Sequence, residues 1–220
     1  IREDFEEVEF EIVPGIAASP AGHWGNYLKA PADELARQFA ISRGFDGVLA
    51  SDIPIAAGLS SSSALVNVVG LALAHVNRII LERLPFAEVM AEAERYTGTR
   101  GGGMDQAISM AGHADHAARI EFSPLQMRHV PVPQGWCFVI ANTGVRAEKS
   151  GHAGAVYNAR RKECEEAFRI VADVALNRGL IHSRLTGYRN LLQILEEGSQ
   201  YDGCYDRYNG ENNLVSRFVL

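Results

Sequence analysis

Two stretches of this 220-residue sequence hold residue types suited to group-transfer chemistry. The first is Pro54-Ile55-Ala56-Ala57-Gly58-Leu59-Ser60-Ser61-Ser62-Ser63-Ala64. A glycine followed by small hydroxyl residues at a helix start leaves backbone N–H groups without acceptors and presents no bulky side chain. It also turns the positive end of the helix dipole toward an incoming anion. In chemical terms this is a phosphate cradle, although serine at such a position also serves as a plain N-cap, and the residues alone leave both uses open. No Asp or Glu falls in the first turn, where a purely stabilising arrangement would place one, and an empty first turn suits a bound anion. Neither a Walker ending Gly-Lys-Ser/Thr nor a Gly-x-Ser-x-Gly elbow can be read here, which disfavours a P-loop ATPase and an α/β-hydrolase.

The second stretch is Glu94-Arg95-Tyr96-Thr97-Gly98-Thr99-Arg100-Gly101-Gly102-Gly103-Met104-Asp105-Gln106. Three consecutive glycines let a backbone approach a ligand closely, and Asp105 just after them could accept a hydroxyl proton. A helix N-cap is the plainer use of Asp105, and a solvated helix charge the plainer use of Glu94.

These residues need elements to hold them. Helical spacing predicts a helix beginning near His23-Trp24-Gly25-Asn26-Tyr27, broken or restarted at Pro31, carrying Leu35, Phe39 and Ala40, and ending at Gly44 and Gly47. The serine run should open a helix to Val76 that is apolar on nearly every face and therefore central. An amphipathic helix over Phe86 to Tyr96, with Pro85 in its first turn, and a short one over Met104 to Met110 should follow. Alternation or apolar runs predict strands at Phe5 to Ile12, Gly47 to Ser51, Ala117 to Phe122, Met127 to Val132 and Trp136 to Ala141. Further helices are expected over Val156 to Asn177 and Tyr188 to Glu197. The sum is an α+β or mixed α/β protein.

Composition narrows the function. The chain is 47% hydrophobic and 22% charged, and 21 Lys plus Arg against 27 Asp plus Glu give a formal charge of −6, so no basic field recruits nucleic acid or an anionic membrane. The longest apolar candidate, Ala64 to Val76, is too short and too interrupted to span a bilayer. Three cysteines without CxxC spacing indicate neither a disulfide framework nor a zinc site, and fit a reducing cytoplasm. The opening Ile1 and the apolar close predict an internal piece of a longer protein.

The motifs Gly58-Leu59-Ser60-Ser61-Ser62-Ser63-Ala64, Gly102-Gly103-Met104-Asp105-Gln106 and Tyr157-Asn158-Ala159-Arg160-Arg161-Lys162-Glu163-Cys164, in that order, resemble the galactokinase branch of the GHMP small-molecule kinases. Glu94-Arg95-Tyr96, the Gly101 to Gln106 run and Ile120-Glu121-Phe122-Ser123-Pro124-Leu125 are most similar to the N-acetylgalactosamine kinases of that branch. The resemblance runs from about Trp24 to about Arg169. It implies a two-lobed α+β fold, mixed sheets with flanking helices, truncated at both ends. Residues 1–111 would be an incomplete N-terminal lobe, and residues 112–220 the beginning of a C-terminal lobe.

The implied activity is transfer of the ATP γ-phosphate to the anomeric hydroxyl of galactose. N-acetylgalactosamine is the alternative acceptor, and a non-catalytic galactose- and ATP-binding sensor the alternative role. Cofactors would be ATP and Mg²⁺. By resemblance, Gly58, Leu59, Ser60, Ser61 and Ser62 hold the phosphates, Ser62 and Glu94 hold Mg²⁺, and Asp105 faces the sugar hydroxyl as catalytic acid or base. Trp24 and Tyr27 match aromatic positions near the adenine, with ordinary core packing as their other reading. Gly102 and Tyr157 match sugar contacts. Tyr157 points to galactose, whereas Gly101, where galactokinases tend to carry cysteine, leaves room for a larger 2-substituent.

The family's amino-terminal sugar-binding motif and its carboxy-terminal glycine-rich motif are absent, so the isolated piece is expected to have little or no kinase activity. His113, Asp115 and His116 lie close enough for metal ligation but lack further ligands at a recognisable spacing. Arg160-Arg161-Lys162 is followed by Glu163, Glu165 and Glu166, and should form charge pairs on a solvated helix face.

Overall fold

A computed structural model describes residues 5–122, 124–145, 152–179 and 217–219. The elements run α1 (Asn26–Gln38), α2 (Ser61–Val76), α3 (Arg83–Glu94), a 3₁₀ turn (Arg95–Thr97), α4 (Met104–Ala111), β1 (His116–Glu121), β2 (Gln126–Pro131), α5 (His152–Asn177) and β3 (Arg217–Val219). Helices and a small sheet occur in one chain, an α+β mixture.

α1 does not break at Pro31. The ring removes the N–H that would bond the Tyr27 carbonyl, at a cost of about 3 kcal/mol for an interior proline. Pro31, Ala32 and Leu35 are all buried in the packing of α1 on α2 and α3, and that burial outweighs the missing bond. The helix also stops earlier than the glycines predict: Phe39 turns to extended backbone, its N–H still donating to the Leu35 carbonyl at 2.8 Å.

α2 sits among α1, α3 and α4 and buries Val66, Val69, Leu73 and Ala74. Among the described residues it is not covered all round, because Val68, Leu71 and His75, three and four residues apart, share an exposed flank that no described helix overlies. Gly70 sets the approach of α3: a Cβ there would collide with the Met90 sulfur, far inside van der Waals contact. Around this contact Val66, Leu73, Ala87, Met90, Ala107 and Ile120 form the centre of the core.

The sheet order is β2-β1-β3, with both pairings antiparallel. In β1, Ala118 and Ile120 alternate inward to the helices while Arg119 and Glu121 lie at the other face. Ala118 pairs with His129 of β2 and with Val219 of β3. β1 and β2 thus occupy two of the predicted strand segments.

Phe5 to Ile12, Gly47 to Ser51 and Trp136 to Ala141 form no strand ladder among the described residues. A strand exists only with a neighbour to accept its hydrogen bonds; side chains fasten the connections that flank the first two segments. The buried Asp33 carboxylate accepts the Gly15 N–H at 2.6 Å and the Ile16 N–H at 3.0 Å, and Arg37 closes on its other oxygen at 2.6 Å. The Tyr96 hydroxyl donates to the Ile16 carbonyl at 2.9 Å. Asn77 receives the N–H groups of Ser42 and Arg43 at 2.9 and 3.0 Å. The predicted helix Tyr188 to Glu197, Cys204 and Ser123 lie outside the described residues.

Candidate functional site

The serine loop adopts a costly backbone. Ala56, Gly58 and Ser60 all have positive φ, 55°, 77° and 57°. Only glycine takes that region without strain, so an alanine and a serine held there are a feature the surroundings must enforce, and such features gather at ligand sites. Ser60 is the N-cap position of α2 but makes no side-chain cap bond, so the plain capping use of this serine is not realised. The first helical bond is Ala64 N–H to the Ser60 carbonyl, 3.0 Å, and no acidic residue lies in the turn it closes. N–H groups preceding such a bond, next to left-handed backbone, are the makings of an anion nest. Leu59 is exposed, and Ser61 and Ser62 are half-buried.

Glu94, the last residue of α3, is not a solvated charge: it is 7% exposed. The Ser63 hydroxyl donates to its Oε2 at 2.7 Å, and the Gln106 side-chain amide donates to the same oxygen. Among the described residues no basic side chain pairs with it. Burial first, and the Glu94 charge second, push the Tyr27 phenol above its ordinary pKa. The hydroxyl that meets Glu94 is thus that of Ser63. Ser62, about 100° away around the helix, is partly exposed at the same turn.

Asp105 stands in the second position of α4, whose N-cap is Gly103 at φ 82°. Asp105 is therefore not the cap, and its carboxylate is half-buried in the first turn. Its neighbour Gln106 is buried, and the Gln106 carbonyl accepts the Asn67 side-chain amide of α2 at 3.3 Å. The Asn67 Oδ1 is buried with no partner. Glu94, Ser63, Asn67, Gln106 and Asp105 bring the ends of three helices to one place. A Cβ on Gly101 or Gly102 would meet nothing within 4 Å, so space beside this loop is open.

Trp24 packs its ring 5.4 Å from that of Phe5, with its indole N–H buried and without a partner. Tyr157, near the start of α5, is exposed. The next residue ties α5 to the glycine loop: Asn158 donates to the Gly98 carbonyl at 2.8 Å and accepts the Arg100 N–H at 3.2 Å.

Ser63, Asn67, Gln106 and Asn158 were not singled out from sequence. Three of them adjoin residues that were, Ser63 after Ser62, Gln106 after Asp105 and Asn158 after Tyr157, and that adjacency is the signal that could have found them; Asn67 carries none.

His113 stacks on His129 with ring centroids 3.7 Å apart, an arrangement of aromatic packing rather than ligation. Among the described residues no three His, Cys, Asp or Glu side chains gather into an all-protein metal site around them. Arg160 and Arg161 pair with Glu163 and Glu165 at 2.7 and 3.0 Å, the predicted solvated charge pairs. No described helix is long and apolar enough to cross a membrane.

Comparison with known proteins gives this arrangement a context. Residues 26–113 match the family model described as GHMP kinases N terminal domain. The chain is 39% identical over 149 residues to a galactokinase of Chloroflexus aggregans, covering 67% of this chain and 37% of the relative. It is 34% identical over 190 residues to a galactokinase of Dictyostelium discoideum, covering 84% of this chain and 35% of the relative. The chain thus spans little more than a third of the length of these curated relatives.

Proposed function

Because this chain carries the N-terminal domain of the GHMP kinases and is galactokinase-like in sequence, we propose that its whole protein is an ATP-dependent sugar 1-kinase that phosphorylates the anomeric hydroxyl of galactose. The observation that carries the reading is the convergence of the α2 start, the buried Glu94 and the first turn of α4.

The donor set fits the implied cofactors. Glu94 is a buried carboxylate held by neutral donors, so its charge asks for a cation. Carboxylate and hydroxyl oxygens are the ligands Mg²⁺ takes, and one or two carboxylates beside nucleotide phosphates are usual for it. Glu94 and Ser62 would hold the ion. Bound Mg²⁺ would supply neutralisation of charge on the phosphate oxygens.

The chain's own residues do the rest. Backbone N–H groups of Gly58, Leu59, Ser60, Ser61 and Ser62 bind phosphate oxygens at the positive end of α2. Trp24 and Tyr27 offer a flat apolar surface to the purine. Asp105 orients the sugar hydroxyl and takes its proton, and Gly102 and Tyr157 border the sugar. Alignment and charge placement are most of what phosphoryl transfer asks of a protein. The partners are small molecules, and a cytoplasmic setting suits the free cysteines.

The empty space beside Gly101 favours N-acetylgalactosamine as the second reading. Coupled ADP release from the whole protein with MgATP and galactose, N-acetylgalactosamine or no sugar tests all three roles. Galactose-dependent release is expected. Release with only the acetamido sugar makes that the substrate, and sugar binding without release makes the protein a sensor.

A further inference from the structure

Gln106 lies next to Asp105 in sequence, yet its side chain turns away to the carboxylate expected to hold the metal. Its Nε2 donates to Glu94 Oε2, the same oxygen that accepts the Ser63 hydroxyl, while the Gln106 backbone carbonyl accepts the Asn67 side-chain amide. Gln106 is 3% exposed, Ser63 2% and Asn67 3%. The type of donor matters. A Lys or Arg in this place would satisfy Glu94 by cancelling its charge, and a carboxylate already paired with a cation has little left for a metal. An amide and a hydroxyl fix the carboxylate while leaving its charge whole. With both donors on Oε2, Oε1 is the oxygen left to a ligand.

We propose that Gln106 is a positioning residue that presents Glu94 to a divalent cation, and that it ties the cation carboxylate to the helical turn bearing Asp105. This rests on the kinase reading above. Hydrogen-bond partners of metal-ligating carboxylates typically carry 10- to 100-fold of metal affinity, which sets the size of effect expected. The same side chain fixes the distance between α3 and the first turn of α4, so its loss is expected to loosen two parts of the site at once, the metal more than the sugar.

The test uses the whole protein with Mn²⁺ as probe. Binding of Mn²⁺ is followed by electron paramagnetic resonance in the presence of a non-hydrolysable ATP analogue, and sugar binding is followed separately by calorimetry. Gln106→Met, which keeps the volume and removes the donors, is expected to weaken Mn²⁺ binding about tenfold or more while sugar affinity stays within about twofold. Gln106→Asn keeps the amide but shortens its reach, and is expected to move the same way, so an unfolded Met variant does not stall the experiment. Full Mn²⁺ affinity in either folded variant overturns the proposal, as does an equal loss of metal and sugar binding. If the unaltered protein binds no Mn²⁺ with the nucleotide analogue, the kinase reading itself falls, and this inference with it.

Discussion

Asp105 and Tyr27 carry the sharpest single-residue expectations. Asp105→Asn removes charge and basicity with almost no change of volume, so ADP release by the whole protein should fall by about 10² to 10⁴, the range of general acid–base contributions, with nucleotide affinity nearly unchanged. Unaltered turnover in a steady-state assay takes Asp105 out of the mechanism. Tyr27 makes a prediction about pH. Its phenol is raised by burial and by Glu94, so the folded state keeps a proton that the unfolded state loses near pH 10. Stability from this group is therefore complete below about pH 10 and declines as pH climbs past it. Thermal melts between pH 9 and 11 should show a steeper decline for the unaltered protein than for Tyr27→Phe. Both residues were legible in sequence, Asp105 from its place after the glycines and Tyr27 from the family pattern. That a buried carboxylate acts on the Tyr27 phenol was not, because nothing in spacing says how α1 and α3 pack.

At the level of helices and strands, periodicity located α2, α3, α4 and α5 to within a few residues, since each is long enough to show its apolar stripe or opens on a clear signal. Pro31 misled because helix rules weigh the missing N–H, and the compensating burial is a property of three helices together. The segments around Phe5, Gly47 and Trp136 misled for the related reason that alternation describes a surface, and pairing requires a neighbour.

The α2–α3 contact offers a test of this scale. Gly70→Ala improves helix propensity by about 1 kcal/mol, yet the added methyl collides with the Met90 sulfur in a closed core, and overpacking typically costs about 1 to 3 kcal/mol. A lower melting temperature is expected, and a higher one means that Met90 moves aside freely. α5 supplies another test. Asn158→Ala removes both bonds to the Gly98–Arg100 loop, so the KM for sugar should rise several-fold while that for ATP holds. Equal changes in both would place the loop elsewhere in the reaction.

Across the whole molecule, a net charge of −6 coexists with the site proposed for a nucleotide's phosphates, so attraction there would have to come from local placement: helix starts, left-handed backbone and the proposed metal. The composition argued against polyanion partners, and the order of the motifs pointed to the family that the comparisons bear out. What lay beyond the sequence was the meeting point of three helix ends, which depends on packing distances that no linear pattern encodes. The buried Glu94, anchored among the described residues by uncharged donors, has a consequence for the lifetime of the protein. Without a cation the fold carries an uncompensated charge, and any ligand bound only by the native state adds RT ln(1 + [L]/Kd) to its stability. Proteolysis through transiently opened molecules follows that stability when reclosing is fast. Digestion by thermolysin should therefore slow as Mg²⁺ and nucleotide are raised together, and slow far less in Glu94→Gln. If the proposed kinase role holds, a cell short of nucleotide would then clear this protein faster, its abundance tracking the supply of its phosphate donor.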